Sequence, residues 1–183
     1  MRSMEGYRLH PLITREEIAS IVKALADRIS KDYDQREVIV VCILKGAFMF
    51  LSDLVRQLRM PVQIDFVRLA SYGSGMRTSG RIEITKDVET SLEGKDFLIV
   101  EDIIDSGRTL LFLKDRITLA HPRSVKVCAL LDKKARREVE FEGDYIGKEI
   151  EDVFVLGYGI DFNEAYRNLP EIYYAEPLAP AKP

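Results

Sequence analysis

Short runs of branched apolar residues alternate along this chain with stretches of helical periodicity, and that alternation restricts the fold more than any other feature. The runs are Val38 to Leu44, Val62 to Leu69, Phe97 to Val100, Val125 to Leu131 and Val153 to Leu156, each of strand length. At least three of them read apolar on both faces, which a strand tolerates only where both faces of its sheet are covered. Between the runs, Phe48 to Leu58 and Thr109 to Leu119 repeat apolar residues at helical spacing. Strand and helix in turn predict an open α/β fold, a mostly parallel sheet flanked by helices. Ahead of it, Thr14-Arg15-Glu16-Glu17 reads as a capping box. Ile18, Ile21, Val22, Leu25 and Ile29 behind it fall on one helical face, which packs on the sheet.

In such sheets ligands bind beyond the carboxyl ends of the strands, so the segments after Leu44, Val100 and Leu131 are where chemistry is expected. With 183 residues, 46% hydrophobic and 31% charged, the chain is expected to form one globular domain over 1–183. A formal net charge of -3 gives no support to a nucleic-acid or anionic-membrane partner, and leaves phosphate sites to be argued locally. Cys42 and Cys128 both lie in apolar runs and read as buried thiols, with neither a disulfide framework nor a zinc site expected. No apolar stretch approaches the roughly 18 residues of a membrane helix. Met1 to Glu5 lack the apolar core of a signal peptide, so a cytoplasmic location is expected. The Gly/Ser-rich segment Ser71 to Gly80 reads as a flexible loop, either a lid or a long hairpin connection to the alternating Arg81-Ile82-Glu83-Ile84-Thr85; residues 178–183 read as a frayed tail.

One segment carries most of the chemistry. Phe97-Leu98-Ile99-Val100 runs into Glu101-Asp102-Ile103-Ile104-Asp105-Ser106-Gly107-Arg108-Thr109 and then into the helical Leu110 to Leu113. A small-residue turn at a helix start exposes backbone N–H groups where a phosphate is favoured. Ser106 and Thr109 add hydroxyls, and Gly107 admits a close approach. Three carboxylates beside an anion site would repel the ligand unless they meet hydroxyls or a cation. The 2′ and 3′ hydroxyls of a ribose supply the first, and the magnesium that accompanies a pyrophosphate supplies the second. The chain contains no G-x-x-x-x-G-K-[ST] motif, and Gly73-Ser74-Gly75 lacks the third glycine of a dinucleotide fingerprint. Its two histidines, His10 and His121, stand near no nucleophile with an acidic partner, which sets aside a serine or cysteine triad.

The segment Val100 to Thr109 resembles the phosphoribosyl pyrophosphate motif of type I phosphoribosyltransferases, and its Ile-Ile-Asp-Ser-Gly version resembles the hypoxanthine-guanine branch. The resemblance runs from Leu9 to about Tyr174 in matching order. It implies transfer of a 5-phosphoribosyl group to N9 of hypoxanthine or guanine, with Mg2+ as cofactor. Phosphoribosyl pyrophosphate and an oxopurine base are the implied partners, and a homodimer or homotetramer the implied assembly.

The resemblance also implies roles. Glu101, Asp102, Asp105, Ser106, Gly107, Arg108 and Thr109 hold the phosphoribosyl group, with Asp105 as general base at the purine. Leu44, Lys45 and Gly46 hold pyrophosphate in a loop that often contains a non-proline cis bond, joined by Ser71, Tyr72 and Arg167. Lys133, with Lys134 as the alternative, donates to the 6-oxo group; Phe154 stacks on the base, Val155 reads its edge through the backbone, and Asp161 sits by base and metal. Glu101, Asp102 and Asp161 are the implied metal ligands. A base-binding hood is expected from the N-terminal segment and about 151–175. Two other readings stay open: a phosphoribosyltransferase for another base, such as xanthine or a pyrimidine, and a regulator on the same fold that senses nucleotides or binds RNA without catalysis.

Overall fold

The computed structural model describes residues 3–4, 6–72 and 81–178. The segment from 73 to 80, most of the expected loop, and the tail from 179 lie outside the described residues. In chain order the elements are β1 (Ser3–Met4), β2 (Tyr7–Ile13), α1 (Arg15–Tyr33), β3 (Val38–Leu44), α2 (Phe48–Val55), β4 (Val62–Tyr72), β5 (Arg81–Lys86), β6 (Asp96–Ile104), α3 (Arg108–Thr118), β7 (Ser124–Asp132), a 3-10 turn (Lys134–Arg136), β8 (Tyr145–Glu149), β9 (Val155–Leu156) and β10 (Ile172–Pro177).

The main sheet has the order β5-β4-β3-β6-β7-β8 and is parallel except for the β4–β5 pair. Residue parity sorts its core. Val38, Val40 and Cys42 of β3 share a buried layer with α1, α2 and Cys128 of β7, whereas Ile39, Val41 and Ile43 share the opposite layer with α3. Period-two alternation with both faces covered is why β3, β6 and β7 carry so little polarity. Both cysteines are fully buried and unpaired. The capping box of α1 is formed: the Glu17 N–H donates to Thr14 Oγ1 at 3.3 Å and the Thr14 N–H to Glu17 Oε2 at 2.8 Å. Among the described residues no helix is long and apolar enough to cross a membrane.

A second, antiparallel sheet of order β1-β2-β10-β9 joins the N-terminal segment to the last strands. It encloses its own small core of Leu9, Leu156, Leu169 and Ala175. Within the expected run Val153 to Leu156, only Val155–Leu156 is strand.

The order of the main sheet locates the crevice. From β3 the chain passes through α2 to β4 on one side, and from β6 through α3 to β7 on the other, so β3 and β6 are the neighbours at which direction reverses. Ligands of open α/β sheets bind at such a switch point. Pairing of β3 with β6 stops at Cys42↔Val100, while pairing of β6 with β7 continues to Ile104↔Asp132. The acidic pair Glu101-Asp102 therefore lies inside β6, not after its end as the apolar run suggested. Bonding to β7 carries the strand onward, and β3 leaves the other side open.

Candidate active site

Three segments meet where β3 and β6 part. After β3 the chain turns through Lys45 and Gly46, and the Leu44–Lys45 peptide is cis. A Cβ placed on Gly46 would lie 1.8 Å from Asp102 Oδ2. A Cβ on Gly159, whose φ is +101°, would lie 2.1 Å from the Gly46 carbonyl oxygen. The loop after β3, the acidic pair on β6 and the turn at 157–160 are thus in direct contact, at a closeness that only glycine permits.

Beside this contact a cavity of about 130 Å³ is lined by Glu101 to Gly107, Thr109 and Leu110. Gly107, in the left-handed region at φ +81°, is the N-cap of α3 and has no side chain to cap it; the Arg108 N–H reaches Ser106 Oγ at 3.4 Å, and the first turn carries no acidic side chain. Ser106 and Thr109 line the cavity as expected. Arg108 does not: its Nε lies 2.6 Å from Glu138 Oε2, so its guanidinium is committed away from the turn and only its main chain remains there.

The acidic pair is desolvated and mutually repelling. Burial, and then the neighbouring Asp102 carboxylate, push Glu101 well above the usual carboxylate range. Burial also raises Asp102, opposed by hydrogen bonds from Glu101 and from the Ile103 N–H (2.7 Å to Oδ1) and by the nearby Arg167. Two adjacent carboxylates, both made harder to ionise by their surroundings, suit a position that a cation completes.

Asp105 projects from the turn, about half exposed, with Oδ1 3.4 Å from Arg136 Nε. Its backbone carbonyl accepts from Arg137 Nη1 at 2.5 Å, and Arg137 also pairs with the buried Asp132 at the end of β7. The Lys133 N–H donates to the Ile104 carbonyl at 2.9 Å, and the Glu138 N–H to the Ser106 carbonyl at 3.0 Å. The turn at 105–107 and the end of β7 are therefore one braced unit. Arg136 reaches further, with Nη1 3.8 Å from Asp152 Oδ2, toward Phe154 and Val155.

The two adjacent lysines separate cleanly. Lys134 is exposed and pairs with Glu149 at 2.8 Å. Lys133 as a residue is 8% exposed; its ammonium has no hydrogen-bond or ion-pair partner among the described residues, where no fully buried side-chain nitrogen or oxygen is left unpaired, so the stem is buried and the tip accessible. Phe154 is 47% exposed, too open for a core aromatic, with its ring edge-on to Phe162 at 5.5 Å. Val155 is buried and pairs with Tyr174 across the small sheet.

On the other side of the crevice, Lys45 Nζ donates to Glu164 Oε2 at 2.6 Å. Arg167 pairs with Asp161 (2.8 Å), approaches Glu164 (3.6 Å) and donates to the Gly159 carbonyl (2.9 Å). Asp161, expected to complete a metal site with Glu101 and Asp102, does not join them. Its oxygens face Arg167 and the Glu164 N–H, and among the described residues no three His, Cys, Asp or Glu side chains group closely enough to hold an ion. Ser71 and Tyr72 end β4, their backbones paired with Ile82 and Arg81.

Arg136, Arg137, Gly159 and Glu164 were not singled out by sequence reasoning. The run Lys133-Lys134-Ala135-Arg136-Arg137 held the signal for the arginines, since four cations at a strand end call for acidic partners. A larger hollow of about 680 Å³ lies between α1, α2 and the turn around Tyr158, and contains none of the paired groups described above.

Comparison with known proteins agrees with this geometry. Residues 13–163 match the phosphoribosyl transferase domain family. The chain is 44% identical to a hypoxanthine-guanine phosphoribosyltransferase of Aquifex aeolicus, over 96% of this chain and 99% of that protein. It is 43% identical to a hypoxanthine phosphoribosyltransferase of Haemophilus influenzae, over 91% of this chain and 94% of that one. Among solved structures, a hypoxanthine phosphoribosyltransferase from Staphylococcus aureus superposes with a TM-score of 0.89 at 40% identity, covering 94% of this chain and 93% of that chain. A crevice at the strand-order switch, an acidic pair leading into a glycine-started helix, and likeness along nearly the whole chain lead to one conclusion: this chain belongs to the phosphoribosyltransferase family, in its hypoxanthine-guanine branch.

Proposed function

We propose that the chain is a purine salvage enzyme that transfers the 5-phosphoribosyl group of phosphoribosyl pyrophosphate to N9 of hypoxanthine or guanine, giving IMP or GMP and pyrophosphate. The observation that carries this reading is Lys133: a lysine whose stem is buried at the end of β7 and whose ammonium tip has no partner among the described residues, with its backbone bonded to the turn that leads into α3. An ammonium that no protein group engages is free to donate, and the carbonyl oxygen of an oxopurine would accept from it.

The remaining groups divide the work. Ser106, Thr109 and the first amides of α3 hold the 5′-phosphate. Phe154 offers a half-open face for stacking, and Val155 presents its backbone to the base edge. Glu101 and Asp102, an oxygen-only donor set with a shared charge problem, suit a hard divalent cation whose other ligands come from substrate and water. Bound there, Mg2+ would supply positive charge opposite the pyrophosphate oxygens. As the bond from the anomeric carbon to pyrophosphate lengthens, negative charge collects on the leaving group beside Lys45 and Arg167. N9 of the purine attacks the exposed carbon, and Asp105 takes the purine proton, by the family's precedent at N7. The small sheet and the segment after β8 would form the hood over the base. Two unpaired buried thiols suit the reducing cytoplasm, and family resemblance supports a homodimer or homotetramer.

The test is initial rates by ultraviolet absorbance with phosphoribosyl pyrophosphate and Mg2+, comparing hypoxanthine, guanine, xanthine, adenine and uracil at equal concentration. Turnover confined to oxopurines is expected. Donor binding without turnover of any base would instead make the site a sensor.

A further inference from the structure

The two cations on the pyrophosphate side are not vacant. One carboxylate oxygen, Glu164 Oε2, lies 2.6 Å from Lys45 Nζ and 3.6 Å from Arg167 Nη2. Lys45 and Glu164 are far apart in sequence, so the contact is made by the fold and not by chain proximity. The backbone that presents it is tightly built. Asn163, Glu164 and Tyr166 all have positive φ (49°, 61° and 69°), a region that non-glycine residues enter only when surroundings hold them there. The Glu164 N–H is tied to Asp161 Oδ2 at 2.9 Å, and Phe162 and Ala165 exchange backbone hydrogen bonds at 3.1 and 3.0 Å. The side chain itself is free to leave, being 66% exposed. Lys45 beside it holds the Glu164 carboxyl below the usual carboxylate range, so it is ionised at neutral pH.

We propose that Glu164 is an internal competitor for the pyrophosphate group: its carboxylate occupies the anion position between Lys45 and Arg167, and must rotate away when the pyrophosphate of the donor or product enters. This rests on the assignment of Lys45 and Arg167 to pyrophosphate. The fixed loop means that displacement needs a rotamer change and no refolding. An exposed ion pair is weak enough to be broken by a multiply charged ligand, yet lowers the net gain from binding it. Glu164 thereby sets how tightly the site holds pyrophosphate, the product that must leave before the next cycle.

The experiment compares wild type with Glu164→Gln, which keeps size and removes charge. Calorimetric affinities are measured in Mg2+ for inorganic pyrophosphate, and separately for GMP, whose base and 5′-phosphate use the other half of the crevice. Pyrophosphate is expected to bind about two- to five-fold more tightly to the variant, with GMP affinity unchanged. Equal or weaker pyrophosphate binding by the variant overturns the inference, as does a parallel shift for both ligands, which would mark a structural role. If wild type itself binds no pyrophosphate, the assignment of Lys45 and Arg167 falls and the inference falls with it.

Discussion

Replacing Asp105 by asparagine is expected to lower turnover by about 100-fold or more, the usual contribution of a positioned general base, while the KM for phosphoribosyl pyrophosphate changes only a few-fold. The separation of the two effects follows from how the residue is held. Its place in the turn depends on its main chain, since the carbonyl accepts from Arg137 and its neighbour Ile104 accepts from Lys133. Asparagine preserves all of that and the shape of the side chain. What it removes is the proton acceptor and the ion pair with Arg136. The check is steady-state kinetics in both substrates. Unchanged turnover would remove Asp105 from the role of base, and a large rise in donor KM with turnover intact would make it a ribose ligand instead.

Lys133→Met is expected to lower kcat/KM for hypoxanthine by about 10- to 100-fold, corresponding to the roughly 1–3 kcal/mol of an unmade buried hydrogen bond. Activity with adenine, expected to be low because a 6-amino group would face the ammonium, should fall far less, so the preference for oxopurines narrows. Folding should not suffer. The ammonium has no partner to lose among the described residues, and a thioether of similar length keeps the packing of the buried stem. Lys134→Met provides the contrast: that side chain is exposed and spent on Glu149, so both rates should stay near wild type. Equal losses for the two variants would contradict the division of labour between these lysines.

The central strands and the turn from β6 into α3 were legible in the sequence because their causes are local. Val38 to Leu44 reads as a strand buried on both faces, and Asp105-Ser106-Gly107 ahead of a helical run marks a helix start. The peripheral strands were not legible for equally physical reasons. Tyr7–Ile13 contains His10 and Pro11, and Tyr145–Glu149 contains Gly147 and Lys148, so neither carries a clean alternation; both become strands by pairing with partners distant in sequence. The same holds for the site. Lys45 and the acidic pair could be pointed to by type and spacing. That Arg108 turns to Glu138, Asp161 to Arg167 and Arg137 to Asp132 depends on contacts that no local pattern encodes.

The two sequestered sulfurs of the central sheet give the molecule a built-in clock. Burial, aided by the nearby Glu101 and Asp102 charges, pushes the Cys42 thiol up to about 12, and burial raises Cys128 as well. Thiolate-seeking reagents therefore have almost nothing to attack in the closed sheet, and modification waits for exposure. Both sulfurs lie in the layer beneath α1 and α2, one on β3 and one on β7. Equal labelling rates at the two positions, rising together with denaturant, would mean that the helical layer and sheet open as one unit. Faster labelling of Cys42 would mean that the strand leading to the Lys45-Gly46 loop detaches first, so that the crevice loosens before the protein unfolds.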